Sequence, residues 1–151
     1  MSTPQMSDEE LVRQLASEMR ILEGSINALQ SRLEIVRAAI GEVTLAHSTV
    51  EGLKKTTDGE ATLVPIGGDS YVLMKIADSK KLIMGIGAGV AMEKDVDTST
   101  EELKGRLQEL EKARTAVQQQ LEQTLSRYQQ DRDAVEELLK RRNPPTTKPA
   151  K

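Results

Sequence analysis

Apolar side chains recur through residues 8–56 at alternating spacings of three and four. One heptad series passes through Val12, Met19, Ile26, Leu33 and Ile40 and breaks at His47. Its companion lies three residues later each time, at Leu15, Leu22, Leu29, Val36, Val43 and Val50. A narrow stripe of this period predicts one long helix with a coiled-coil seam. Ser7 and Glu10 have the spacing of a capping box at its start. The stop is marked by Lys54 and Lys55 at the negative end of the helix dipole, followed by Thr56-Thr57-Asp58-Gly59. At 1.5 Å per residue such a helix is roughly 70 Å long, longer than a compact domain of this mass is wide.

A second heptad stretch closes the chain, over residues 98–142. Its series are Leu103, Leu110, Val117, Thr124, Asp131 and Leu138, and Leu107, Arg114, Leu121, Tyr128, Val135 and Arg142. Asp97-Thr98-Ser99-Thr100 with Glu101 and Glu102 suggest its N-cap, and Lys140-Arg141-Arg142 before Asn143-Pro144-Pro145 its end. If the chain doubles back, the two seams interlock with Val43 on Leu107, Ile40 on Leu110, Leu29 on Leu121 and Leu15 on Val135. A slip of one heptad in either direction stays open. Gly24, Gly41, Gly52 and Gly105 all fall on outward positions, where they weaken the helices without opening the packing. Residues 1–7 and 143–151 are expected to be disordered tails.

Residues 57–97 lose the helical period and read as four short strands, about Ala61–Ile66, Tyr71–Ala77, Lys81–Ile86 and Val90–Lys94. Gly67-Gly68-Asp69-Ser70 and Gly87-Ala88-Gly89 supply the positive φ of tight hairpin turns. Both strand faces are apolar, with Val72, Met74 and Ile76 on one side and Tyr71 and Leu73 on the other. Two isolated hairpins cannot bury two faces. They are therefore expected to pair with other subunits in a larger sheet or barrel. The first hairpin offers Leu63, Val64, Ile66, Tyr71, Val72, Leu73, Met74 and Ile76 for this. The second offers Leu82, Ile83, Met84, Ile86, Val90 and Met92.

Composition sharpens this picture mainly by what it withholds. There is no Phe, Trp or Cys, only two Tyr, and 30% of the residues are charged. That is too few aromatics for a thick core and no thiols for disulfides or metal. A net charge of −3 argues against a nucleic-acid surface. No stretch has the run of about 20 apolar residues that crosses a bilayer. The opening Met1-Ser2-Thr3-Pro4-Gln5 lacks the form of a signal peptide, so a cytoplasmic location is expected.

Candidate chemistry is thin. Gly85-Ile86-Gly87-Ala88-Gly89-Val90 looks like a nucleotide-binding glycine loop. It lacks the third glycine, and a strand follows it where a phosphate-binding helix would be needed. It reads as a hairpin turn. His47, the single histidine, has no second ligand for a metal and no orienting partner for base catalysis; it reads as a register-setting or solvent-reaching residue. The carboxylates lie at helix starts and on outer faces. No catalytic, metal or cofactor residues are assigned. The polar residues Asp131, Thr124 and Arg114 within the second seam either fix register or loosen the free end. In the second case Leu11, Val12, Leu15, Met19, Val135, Leu138 and Leu139 stay partly accessible. Adaptable apolar surface of that kind suits contact with exposed hydrophobic segments of other proteins.

The strand end Leu63-Val64-Pro65-Ile66-Gly67, leading into Ser70-Tyr71-Val72, and the hairpin Lys81-Leu82-Ile83-Met84-Gly85-Ile86-Gly87-Ala88-Gly89-Val90 beside Met92-Glu93-Lys94 resemble the alpha subunits of the prefoldin family. The resemblance covers the chain apart from its tails. Four strands match the alpha class, and the plain length looks archaeal. It implies an α+β fold: a long antiparallel coiled-coil helical hairpin whose helices are connected by two β-hairpins that join an oligomeric β-barrel. It further implies an ATP-independent holdase, a heterohexamer of two alpha and four beta subunits, unfolded-protein clients held at the coiled-coil tips, and delivery to a group II chaperonin. The competing class is a structural or adaptor coiled coil tethering two specific partners. Such a protein would have polar tips and no need of apolar hairpins.

Overall fold

The computed structural model describes residues 6–144; of the tails expected at residues 1–7 and 143–151, residues 1–5 and 145–151 lie outside the described residues. Six elements follow in order: helix α1 (Asp8–Leu53), strands β1 (Ala61–Gly67), β2 (Ser70–Lys75), β3 (Lys81–Gly87) and β4 (Val90–Asp95), and helix α2 (Val96–Arg142). Two compact units result. One holds the described residues up to Ile35 and those from Arg114 onward; the other is Val36–Ala113.

Helix α1 starts on the expected capping box. The Ser7 amide donates to Glu10 Oε2 at 2.9 Å, and the Glu10 amide donates to Ser7 Oγ at 3.3 Å. Its end comes three residues before the expected boundary. Lys54 and Lys55 stand in a turn just past Leu53, and Thr56 Oγ1 donates back to the Leu53 carbonyl at 2.7 Å. Helix α2 also departs from expectation, beginning at Val96 directly from β4. Its cap is Asp95, whose carboxylate accepts the Thr98 amide at 2.8 Å and the Thr98 hydroxyl at 2.7 Å. The Asp97–Thr100 cluster lies inside the helix instead. There Ser99 and Thr100, both buried, donate their hydroxyls to the Asp95 and Val96 carbonyls at 2.8 Å. Hydroxyl residues satisfy buried polarity either at a cap or four residues back, and spacing alone does not say which.

In the unit of the chain ends, the seam follows the heptads. Leu33, Val117 and Leu138 are buried, and Val12, Leu15, Met19, Leu22, Ile26, Leu29, Leu121 and Val135 are half-buried. Two bonds across the seam fix the register. Arg127 Nε donates to Glu18 Oε1 at 2.9 Å, and the Tyr128 hydroxyl donates to Glu23 Oε1 at 2.8 Å. Both agree with Leu29 lying on Leu121. A slip of one heptad would carry each pair about 10 Å apart.

In the Val36–Ala113 unit, Val50, Met84, Val96 and Leu103 form the buried cluster, with Val43, Ala46, Leu53 and Leu82 packed against it. Each helix thus contributes its seam, and the second hairpin contributes Leu82 and Met84. The sheets are two separate antiparallel pairs, β1–β2 and β3–β4. They are built alike, Ala61 corresponding to Lys81 and Ile76 to Val96. Ile66 and Ile86 are each an extra residue in the ladder, between Pro65 and Gly67 in one hairpin and between Gly85 and Gly87 in the other. Two-residue loops follow, Gly68-Asp69 and Ala88-Gly89, with φ of 56° and 55° in the first and 51° and 74° in the second. Positive φ at both positions is what a hairpin turn matching strand twist requires. Beyond the ladders, the Ile76 amide donates to the Glu60 carbonyl and the Val96 amide to the Lys80 carbonyl, each at 2.9 Å. The glycine-rich stretch at 85–89 is therefore a hairpin turn.

Candidate assembly and client-binding surfaces

Alternation along the strands sends one set of hairpin side chains inward and leaves the other in the open. Met84 is buried, while Val64, Val72, Ile76 and Leu82 are half-buried toward the helices. The other expected assembly residues are exposed: Leu63, Ile66, Tyr71, Leu73, Met74, Ile83, Ile86, Val90 and Met92. Leu73 and Ile83 are the barest, at 71% and 77% of their full surface. Nine exposed apolar side chains on two short hairpins are more than solvated strands need, and such surface marks an interaction site. The equivalent edges of β1 (Thr62–Pro65) and β3 (Leu82–Gly85), with Ala46, Val50 and Leu53 of α1 and Leu103 of α2, line an open apolar cleft of about 830 Å³. Arg106 is its charged element, beside Thr49, Thr56 and Thr62, and donates to the Gly85 carbonyl at 3.0 Å.

Charge braces the hairpins at their margins. Lys81 pairs with Glu93 across β3–β4 at 2.8 Å, and this bond holds the Lys81 ammonium above its ordinary pKa. Lys94, half-buried, pairs with Glu102 of α2. Lys54 reaches Glu51 at 3.1 Å and Asp97 at 3.4 Å. The Asp95 carboxyl is held below its ordinary range, first by the Thr98 amide and then by the Thr98 hydroxyl.

At the helix ends the expected client-binding residues divide. Leu11, Val12, Leu15, Met19 and Val135 are half-exposed, and Leu139 is 46% exposed. Leu138 corrects the expectation. It is 4% exposed, because its heptad position points it into the seam while Leu139 takes the flank. The end of the pair is better packed than three polar seam residues suggest.

Two of those polar residues, Thr124 and Asp131, are bonded one turn back, Asp131 through one oxygen only. Thr124 Oγ1 donates to the Gln120 carbonyl at 2.7 Å. Asp131 is 3% exposed, with Oδ1 at 3.3 Å from Arg127 Nε and Oδ2 buried without a hydrogen-bond partner. Arg127 holds both Glu18 and Asp131; its pKa is raised first by the Glu18 bond and then by the Asp131 charge. The Tyr128 phenol is likewise raised by its bond to Glu23. In the other unit His47 is half-buried, and its Nε2 is enclosed without a hydrogen-bond partner. That nitrogen is not the solvent-reaching end allowed for it.

The arrangement offers apolar surface, not chemistry. Among the described residues no three His, Cys, Asp or Glu side chains gather as a metal site, and no helix is long and apolar enough to cross a membrane. The heptad reading missed Ile21, Ile35, Leu45 and Leu125, which are exposed apolar residues off the seam. The signal that could have found them is an apolar residue at an outward heptad position.

A family model described as a prefoldin subunit matches residues 22–141. The chain is 33% identical to prefoldin subunit alpha of Methanopyrus kandleri, over 77% of this chain and 78% of that protein. It is also 33% identical to prefoldin subunit alpha of Nitrosopumilus maritimus, over 87% of this chain and 90% of that one. Its fold is similar to that of a chain in filamentous PFD from Methanocaldococcus jannaschii, with a TM-score of 0.64 and 19% identity over 76% of this chain and 95% of that chain.

Proposed function

This chain belongs to the prefoldin family, in which it matches alpha subunits of archaea and is no enzyme, and on that premise we propose that it is an alpha subunit of an ATP-independent holdase. Its hairpins join those of beta subunits in a heterohexamer of two alpha and four beta chains. Its helix ends hold exposed hydrophobic segments of unfolded proteins in the cytoplasm and pass them to a group II chaperonin. No ATP is needed, since capture rests on burying apolar surface.

The observation that carries this reading is the outward apolar set on the hairpins. Two-stranded hairpins are marginal alone, and strand edges invite pairing by another chain. Partners that supply strands would extend both ladders and cover Leu63, Leu73, Ile83 and Ile86. At the helix ends, Leu11, Val12, Leu15, Met19, Val135 and Leu139 are the client-facing residues, and Leu138 supports them from within. Adaptable side chains such as Met19 fit a surface that takes many sequences.

Co-expression with a beta subunit from the same source, followed by native mass measurement, tests the assembly. A heterohexamer is expected, and Leu73→Lys with Ile83→Lys should abolish it while the helices stay folded. A stable isolated monomer, indifferent to the beta subunit, would overturn the proposal. Suppression of aggregation of an unrelated unfolded protein without nucleotide tests the holdase activity.

A further inference from the structure

The outward face of α1, in the unit of the chain ends, is unlike the surface around it. Ile21, Gly24, Ala28, Ser31 and Ile35 occupy two adjacent outward heptad positions, all exposed and none charged, with Arg20, Asn27 and Glu34 on the third outward position beside them. Ile21 and Ile35 stand 68% and 69% in the open. The same two outward positions of α2 in this unit carry Ala116, Gln119, Gln123, Ser126, Gln130 and Asp133, with no large apolar side chain among them, as a solvated face should. A Cβ at Gly24 would meet nothing within 4 Å, as at Gly41, Gly52 and Gly105, so the face is open there.

The face is complementary to itself. A second α1 laid on it antiparallel, with the layer geometry that joins α1 to α2, brings Ile35 of each copy over Gly24 of the other. Ala28 then meets Ser31. Large residues enter the gaps left by small ones, as helix packing demands. In the α1–α2 pair one flank of the seam holds Glu18 against Arg127. The same flank of the new pair sets Arg20 against Glu34 of the second copy, twice by symmetry, and Asn27 beside its own equivalent. Arg20 and Glu34 are exposed, and neither makes an ion pair within its own chain among the described residues.

The geometry points to residues 20–35 of α1 as a two-fold docking surface for the same face of a second copy of this chain. Such isologous contacts need one patch that mates with itself, and Arg20 and Glu34 meet that condition. A captured client would gain nothing from charges placed at mating positions. The contact is short, and its other flank brings Arg32 toward its copy, so the association is weak and transient. It is independent of what the hairpins join.

The chain has no cysteine, which makes a direct test simple. Full-length protein carrying Asn27→Cys should form a disulfide-linked dimer under mild oxidation. Arg13→Cys, on the same flank two heptads earlier, should not, because its copies lie about 40 Å apart in the antiparallel pair. Adding Ile35→Glu should abolish the Asn27→Cys dimer without changing the native mass of the complex made through the hairpins. Arg20→Glu should weaken it, and Glu34→Arg in the same chain should restore it. The inference is overturned if Asn27→Cys fails to cross-link, if both cysteines cross-link alike, if Ile35→Glu has no effect, or if an unfolded client displaces the dimer.

Discussion

Asp131→Leu should make this protein more stable. Asp131 occupies a seam position between Thr124 and Leu138 and is 3% exposed. Its one partner, Arg127, is half in solvent at 3.3 Å, and Oδ2 has no partner. Taking a carboxylate out of water costs several kcal/mol, and a single imperfect ion pair recovers only part of that. Leucine at the same position would bury an apolar side chain worth about 1.5–3 kcal/mol and complete the layer above Leu138. Some of that gain is offset by the larger side chain in a seam packed around aspartate. A net stabilisation of about 1–3 kcal/mol follows, in the range seen when buried ion pairs are replaced by hydrophobes. Arg127 keeps its bond to Glu18, so the register contact survives the change. For a chain of this length each kcal/mol moves Tm by about 2–4 °C, giving an increase of about 2–12 °C. Thermal unfolding followed by circular dichroism, at one fixed protein concentration because assembly shifts Tm, measures it. An unchanged or lowered Tm would refute the reasoning and show that the polar layer contributes net stability.

Six further substitutions, at five positions, test other parts of the structure. Ala88 holds a φ of 51° that favours glycine. Ala88→Gly should therefore stabilise by about 1 kcal/mol and the mirror change Gly68→Ala destabilise by a similar amount, read from the two midpoints in urea. Leu138→Ala should cost about 2–5 kcal/mol by emptying a buried position, with the helix melting earlier. Leu139→Ala should leave Tm unchanged while reducing suppression of client aggregation. Asp95 caps α2 with a carboxyl pKa held below its ordinary value, first by the Thr98 amide. A depressed folded pKa means that its contribution is complete above the ordinary value and fades as pH falls below about 4 toward the folded value. Asp95→Ala should remove that part of the acid-side loss and lower Tm at neutral pH, whereas Asp95→Asn should keep most of the neutral-pH stability.

Some of this was decided by local pattern. Heptad spacing identified Leu33, Val50, Leu103, Val117, Asp131 and Leu138 as seam residues, because a helix repeats its face regardless of what covers it, but it missed Val96, Ser99 and Thr100, which are buried in the first turns of α2. The glycine clusters at 67–68 and 87–89 announced the hairpin turns, since few residues tolerate positive φ. Alternation in the strands foretold apolar surface on two faces. The position of Ile66 and Ile86 as extra residues in the ladders was not legible, because a bulge depends on how the partner strand is aligned.

What only tertiary structure decided is which of several equivalent local solutions is used. Asp95 rather than Asp97 caps α2, because β4 runs straight into the helix. Val72 and Ile76 turn inward while Met74, on the same strand face by alternation, stays half in solvent, because the helices lie over only part of each hairpin. Leu138 is buried and its neighbour Leu139 exposed, a choice made by the facing helix through its register. That register rests on Glu18 with Arg127 and Glu23 with Tyr128, pairs far apart in the chain. A sequence repeats its periods locally, but only the meeting of two distant segments selects one alignment among those the periods allow.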